Sequence, residues 1–123
     1  MDSPARSLVV KVTSGVEAPE RLSQAFTVAA TAVASGVQVS LWLTGEASWM
    51  AVPGHAEAFE LPHAASIVDL REAVLAGGRL TVCTQCAARR DLTEDRLVEG
   101  AVIRGAAAFV EEAMAPGAQA LVY

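Results

Sequence analysis

The chain has 123 residues, of which 53% are hydrophobic and 19% are charged, and its formal net charge is −5 at pH 7. This length fits one compact domain, and we expect residues 1–123 to form a single one. The apolar content excludes a disordered chain, and the acidic balance argues against nucleic acid as a partner, because phosphate binding needs clustered lysine and arginine. So much apolar surface on a small domain also predicts burial between subunits.

Neither a signal peptide nor a membrane-spanning segment is expected. The sequence begins with polar residues instead of a basic segment followed by an apolar one. No apolar run approaches the roughly 20 residues that cross a bilayer. We therefore predict a cytoplasmic protein without a membrane partner, in a compartment where thiols stay mostly reduced.

Short β-rich runs alternate with helical patterns along the chain, which predicts a parallel sheet with crossover helices. Proline suits the first turn of a helix and glycine suits its end, so these residues bound the first helix. The predicted elements of the first half are a strand at 8–12, a helix from Pro19 to Gly36, a strand at 37–43 and a short helix at 47–52.

The second half begins with its least regular stretch, residues 53–65, which holds both histidines and a weak pattern for a short strand at 58–61. Ser66 and Asp69 form a variant of the capping box ahead of a helix. The remaining predicted elements are a helix ending at Gly77-Gly78, a strand at 79–83, a short helix at 85–90, a last helix from about Val102 or Arg104 to Met114, with Ala106, Phe109, Val110, Ala113 and Met114 facing inward, and a final strand at 118–123.

One segment concentrates the chemistry. Cys83-Thr84-Gln85-Cys86 lies where a strand gives way to a helix, and ligands of open α/β sheets bind at that edge. Free N–H groups at a helix start favour a thiolate, the nucleophilic form, and Arg89 and Arg90 add positive charge within two turns. A cysteine is more often a small buried hydrophobe, but a second cysteine three residues on indicates a reactive or redox pair.

Three chemistries are open to this pair. Thioredoxin-like dithiol exchange is less favoured, because the motif comes late in the chain and encloses Thr-Gln. Metal binding by both cysteines with His55 and His63 is disfavoured by the histidine spacing, so we predict no metal and no other cofactor. The third is a persulfide carrier, in which one thiolate accepts a sulfur atom and passes it on.

Residues 80–92, LTVCTQCAARRDL, resemble the hallmark segment of the DsrE/DsrF/TusD-like sulfur-relay family. In that family a strand ends in cysteine, and a short helix leads to one or two arginines. Cys83 falls on the family's sulfur-accepting cysteine, and Arg89 and Arg90 fall on its basic pair. Cys86 matches a second cysteine that only some members have.

The resemblance implies a three-layer α/β sandwich with a mostly parallel five-stranded sheet. It also implies a sulfurtransferase of the persulfide-relay kind, with Cys83 as acceptor and Cys86 as a resolving or auxiliary thiol. The implied partners are copies of the same chain, in trimers or hexamers with the cysteine near a subunit boundary, and sulfur donor and acceptor proteins. Asp91 stands where members usually have glycine. This departure and the apolar composition also fit a non-enzymatic oligomeric binding or regulatory module of the same fold.

Two tryptophans flank the turn at 44–46, which should lie at the same sheet edge as Cys83. We interpret Trp42 and Trp49 as packing residues in preference to the lining of a pocket beside the cysteine. Glu46, within the turn, is interpreted as a solvated carboxylate in preference to a general base.

Overall fold

A computed structural model describes residues 6–123, and this part of the chain forms five strands, four α-helices and two 3₁₀ helices. The elements are, in chain order, β1 (Ser7–Val12), α1 (Pro19–Ala34), β2 (Gln38–Leu43), a first 3₁₀ helix (Gly45–Ala51), α2 (Ile67–Gly77), β3 (Arg79–Cys83), α3 (Thr84–Arg89), a second 3₁₀ helix (Glu94–Arg96), β4 (Val102–Arg104), α4 (Ala106–Ala113) and β5 (Ala118–Val122).

All five strands run parallel, in the order β4-β3-β2-β1-β5. Successive side chains of a strand point to opposite faces, so the register defines two sides of the sheet. The α1/α2 face carries Val10, Leu41 and Leu80, and the α4 face carries Lys11, Trp42 and Thr81. The predicted parallel α/β sandwich is confirmed, with α1 and α2 forming one outer layer and α4 the other.

The apolar core lies between the sheet and the α1/α2 layer. Helix α1 begins at Pro19, which suits the first helical turn, and its apolar residues recur at a spacing of three and four. That spacing puts them on one stripe, which packs against the strands. The fully buried residues of this core include Val10, Val12, Leu22, Phe26, Leu41, Leu43, Leu80 and Val82.

The predicted helix signals at α1 and α2 are confirmed. The Ser66 hydroxyl accepts a hydrogen bond from the Asp69 backbone N–H at 3.1 Å and so begins α2. Gly36 follows α1 with a φ of 83°, a left-handed conformation that glycine adopts without strain. Both signals are local, since they depend on neighbouring residues alone.

The prediction of a strand at 58–61 is wrong. The strand that brings the sheet to five is instead β4, which pairs with β3. Residues 53–58 form successive turns instead, and residues 59–61 have no regular structure. The Glu57 carboxylate accepts the Gly54 N–H at 2.9 Å, and the Phe59 N–H donates to the Ala56 carbonyl at 3.2 Å. These local bonds bend the backbone, so it cannot extend beside another strand.

The last helix was expected to start at Val102 or Arg104, and this is also wrong. Those residues pair with β3 as β4, and α4 begins only at Ala106, after Gly105. The expected inward orientation of the helix is wrong as well, except that Phe109 contacts Trp42. Val110 and Met114 are 55% and 77% exposed, and no residue of α4, Ala106 included, is buried. A single short helix cannot cover this face of a five-stranded sheet.

None of the helices in the described part of the chain combines the length and the apolar character needed to cross a membrane.

Candidate functional site

Cys83 is the last residue of β3 and immediately precedes α3. It is half-buried and carries a free thiol. β3 pairs with β2 in parallel, so Cys83 lies at the same edge of the sheet as the turn that follows β2. The sequence prediction of a thiol at a strand–helix junction therefore has the expected backbone geometry.

Cys86 lies one helical turn further on and is buried, with 8% of its surface exposed. Its sulfur accepts a hydrogen bond from the backbone N–H of Gly45, with an N···Sγ distance of 3.1 Å. This bond ties α3 to the turn after β2. It also gives the Cys86 sulfur a fixed position.

Two glycines allow the loops after β1 and β2 to approach this site. Gly45 has a φ of 54°, and a side chain there would come within 2.7 Å of the Thr13 carbonyl oxygen. A side chain at Gly15 would come within 2.6 Å of the Glu46 carbonyl oxygen. Only residues without Cβ fit at both positions, so the two loops pack backbone against backbone beside the cysteines.

Arg90 joins the same turn to α3 through an ion pair. Its Nη2 and Nε donate to Glu46 Oε2 at 2.8 Å and 3.0 Å, and its Nη1 donates to the Cys86 carbonyl at 3.0 Å. These bonds hold the pKa of Glu46 below its ordinary value, with a smaller contribution from the Trp49 indole N–H. Glu46 is therefore an ion-paired carboxylate, and Arg90 fixes the position of α3.

Arg89 is placed differently from its neighbour. It is exposed, and within residues 6–123 its side chain makes no hydrogen bond or ion pair. The two arginines predicted to act together are thus separated: one guanidinium is engaged by Glu46, and the other extends into solvent near the end of α3.

Asp91 has a φ of 54°. It stands at a position where members of the family that this sequence resembles usually have glycine. The left-handed region is costly for most side chains, whereas aspartate and asparagine tolerate it better than others. The backbone at this turn therefore explains why glycine is the usual residue and why aspartate can replace it. The Asp91 carbonyl accepts a hydrogen bond from Arg96 Nη1 at 3.1 Å.

The histidines and cysteines are not brought together as a metal site. His55 stacks on the Trp49 indole with ring centroids 4.9 Å apart and 22° between the planes. In the chain from residue 6 onward, no group of three or more His, Cys, Asp or Glu side chains is arranged to hold a metal ion.

The tryptophans have separate roles. Trp42 is buried on the α4 face, where it packs edge-on against Phe109 and donates its indole N–H to Glu112 at 2.9 Å, so its packing role is confirmed. Trp49 is half-buried and lines a surface groove together with Glu46. Neither this groove nor the hydrogen bond from the Gly45 N–H to the Cys86 sulfur was predicted from the sequence, although Thr44-Gly45 at a strand end indicated a tight turn.

The fold and the site define an α/β protein with a cysteine pair at the carboxyl edge of a parallel sheet. A sequence model of the DsrE/DsrF-like family matches residues 6–121, and the chain belongs to that family. No curated protein matches the sequence.

Two solved structures share this fold. The ychN protein from E. coli superposes with a TM-score of 0.79 at 16% identity, over 96% of this chain and 99% of that one. MTH1491 from Methanobacterium thermoautotrophicum, a protein of unknown function, superposes with a TM-score of 0.71 at 12% identity, again over 96% and 99% of the two chains. Likeness at these identities concerns the fold alone.

Proposed function

We propose that the chain is a sulfur carrier in which Cys83 accepts a sulfur atom as a persulfide and passes it to another thiol. The observation that carries the proposal is the place of Cys83, which is half-buried and ends β3 at the edge where parallel α/β sheets bind their ligands. Two further points support it: the chain belongs to the DsrE/DsrF-like family, and residues 80–92 resemble the segment around the sulfur-accepting cysteine of sulfur-relay proteins.

The transfer is an exchange between sulfur atoms. The Cys83 thiolate attacks the outer sulfur of a donor persulfide, R–S–SH. A new S–S bond forms at Cys83, the donor S–S bond breaks, and the donor leaves as a thiolate while the proton stays on the transferred sulfur. An acceptor thiolate then takes that sulfur in the same way, and Cys83 leaves as a thiolate. Neither step has a net redox change, so no cofactor is needed.

We assign Cys86 the part of an auxiliary thiol. A Cys86 thiolate that attacked the inner sulfur of the Cys83 persulfide would form a Cys83–Cys86 disulfide and release hydrosulfide. The burial of Cys86 and its 3.1 Å bond from the Gly45 N–H support a thiol that is restrained from this side reaction while the turn is in place.

The arginines have different parts in this proposal. Arg89 is exposed and supplies positive charge near the end of α3, which favours an approaching anionic sulfur donor. Arg90 acts as a positioning residue through Glu46 and the Cys86 carbonyl. We expect Arg89→Ala to slow loading without changing stability, and Arg90→Ala to lower stability as well.

The test is to incubate the protein with glutathione persulfide and measure its intact mass. We expect one added sulfur atom on the wild type, none on Cys83→Ser, and one on Cys86→Ser that persists longer than on the wild type. Cys86→Ser is the matched control, since it keeps Cys83 and removes only the neighbouring thiol. No added sulfur on the wild type, or equal addition to Cys83→Ser, would contradict the proposal.

The second candidate function is dithiol–disulfide exchange. The observation that favours it is the position of Cys83 at the start of α3 and of Cys86 three residues later in the same helix. A helix-cap residue and the residue three positions later lie side by side, as in the capping box. If mild oxidation forms the disulfide quickly while persulfide never accumulates on Cys86→Ser, this second function replaces the first.

We also propose that the chain assembles with copies of itself through α4 and β5. Val110 and Met114, which lie one turn apart at the end of α4, are 55% and 77% exposed, and Val122 on β5 is 65% exposed. Neighbouring exposed apolar side chains are typical of protein–protein contact sites. The double variant Val110→Glu, Met114→Glu should shift the mass measured by light scattering to that of a single chain. Unchanged assembly in this variant would place the interface elsewhere.

A further inference from the structure

A groove of about 800 Å³ lies beside the cysteine site but is not part of it. It is formed by the loop after β1, by the first 3₁₀ helix and by the turns that follow. Its size is within the range of small-molecule pockets in proteins. Neither Cys83 nor Cys86 lines it.

The lining of the groove is mainly apolar and aromatic. Trp49 and Phe59 are half-buried, Met50 lies beneath them with 1% exposure, and Val16 at the side of the groove is 60% exposed. Half-buried aromatic side chains around a concavity are typical of ligand sites, because they supply contact area at little entropic cost.

The ionisable side chains that line the groove are Glu46, Glu60 and His55, and the His55 ring stacks on the Trp49 indole with ring centroids 4.9 Å apart. The two segments that form it, residues 16–20 and 46–60, contain five glutamates and no lysine or arginine. Arg90 neutralises Glu46, and Arg71 lies 3.5 Å from Glu57. Glu60 also lines the groove, and within residues 6–123 its carboxylate has neither a hydrogen bond nor an ion pair.

We propose that this groove binds a small organic cation, namely a ring that carries a protonated or quaternary amine. The ring would pack against Trp49 and Phe59, and the amine would lie beside Glu60. Indole and phenyl faces also attract cations directly, which favours an amine over a neutral ligand of the same shape. The proposal does not rest on sulfur transfer, since its site contains no thiol.

The test uses phenethylamine, which is protonated at neutral pH, with the neutral phenylethanol and the anionic phenylacetate as matched probes. Binding is followed by NMR at the two indole N–H resonances. Trp42 serves as an internal control, because it is buried on the α4 face and donates to Glu112. A ligand of this size should bind with a Kd in the range of about 1–10 mM.

We expect phenethylamine to shift the Trp49 resonance and not that of Trp42, and to bind about fivefold more tightly than phenylethanol, as for opposite unit charges close together in water. Glu60→Gln should remove most of this preference, whereas Glu99→Gln, at an exposed glutamate outside the groove, should keep it. Trp49→Leu should weaken binding of all three probes.

Three results would overturn the proposal: equal binding of the three probes, a cation preference unchanged in Glu60→Gln, or no shift of the Trp49 resonance at millimolar phenethylamine. The wild-type probe series does not depend on the folding of any variant. For the variants, an unchanged Trp42 resonance reports that the fold is intact.

Discussion

On the α1/α2 face of the sheet, α1 buries five residues and α2 buries three, whereas α4 on the opposite face buries none. The strands contribute buried side chains to both faces, including Val10 and Leu41 on the first and Trp42 on the second. What differs is the covering layer. Two helices with continuous apolar stripes complete one side, and a single helix of eight residues covers the other only in part.

This contrast indicates that the two faces stabilise the protein in different ways. The α1/α2 face is a closed core, in which most of the free energy of unfolding should reside. The α4 face depends on a few specific contacts, namely the Trp42–Phe109 pair, the Trp42–Glu112 hydrogen bond and Lys11 Nζ, which lies 4.4 Å from the Phe109 ring centroid. Such contacts can be removed one at a time, and so the comparison can be tested.

The largest expected effect comes from truncating one aromatic side chain on each face. Phe26→Ala, in the closed core, should lower the free energy of unfolding by about 3–5 kcal/mol, because it leaves a cavity. Phe109→Ala, at a half-buried position, should lower it by about 1–2 kcal/mol. Urea unfolding followed by circular dichroism measures both. Equal losses would show that the α4 face is as well packed as the other.

The next effect concerns the hydrogen bond that anchors α4. Glu112→Ala should cost about 1–3 kcal/mol, because the buried indole N–H of Trp42 loses its acceptor. Glu111→Ala, at the neighbouring exposed position, is the control and should change stability by less than about 0.5 kcal/mol. If both variants unfold at the same urea concentration, the Trp42–Glu112 bond does not hold the helix.

A stabilising change is expected at the turn before the second 3₁₀ helix. Asp91→Gly should raise the free energy of unfolding by up to about 1 kcal/mol, because glycine adopts the left-handed φ of 54° without strain. Asp95→Gly is the matched control. Asp95 lies in the 3₁₀ helix without a positive φ, and its carboxylate accepts a hydrogen bond from the Thr93 hydroxyl, so glycine there should destabilise for both reasons. Thermal unfolding distinguishes the two, and a destabilising Asp91→Gly would refute the account of this turn.

The smallest effect is a pH dependence at β4, the edge strand beside β3. Hydrogen bonds from the Ile103 N–H and from Arg104 hold the pKa of Glu94 below its ordinary value of 4.5. Because the pKa is lowered in the folded state, the stabilisation is complete above about pH 4.5 and is lost as the pH falls through the folded-state pKa.

Hydrogen exchange measures this loss. Exchange of the Ile103 amide, relative to that of Val10 in the centre of the sheet, should accelerate on acidification. In Glu94→Gln, the ratio of the Ile103 exchange rate to the Val10 exchange rate should be high already at neutral pH, and it should no longer change as the pH is lowered. A ratio that stays constant in the wild type from neutral pH to below pH 4 would contradict the role of Glu94.

The elements with local signals were predictable from sequence. Pro19, Gly36 and Ser66 mark helix boundaries through their own chemistry, and the strand that ends at Cys83 is a short apolar run. β4 was not predictable, because a three-residue strand has no periodicity of its own and exists only through its pairing with β3.

The candidate site likewise has some features that the sequence predicts and others that it does not. Cys83 and Cys86 could be selected because a cysteine pair at a strand end is visible in the sequence. The hydrogen bond from Gly45 to Cys86 spans 41 residues, and the ion pair from Arg90 to Glu46 spans 44. Contacts of this kind depend on how the strands are ordered in the sheet, and the spacing of residues does not report that order.

The strand order also has a consequence for synthesis. β1 leaves the ribosome before the other four strands, yet one of its two edges pairs only with β5, whose residues follow more than 100 positions later, as the Thr13–Tyr123 bond across 110 residues illustrates. Until β5 emerges, the nascent chain exposes an unpaired, hydrophobic edge of β1, with which a strand of another chain could pair. Codon changes that slow translation between β4 and β5 should therefore increase aggregation of newly made protein more than similar changes before α1.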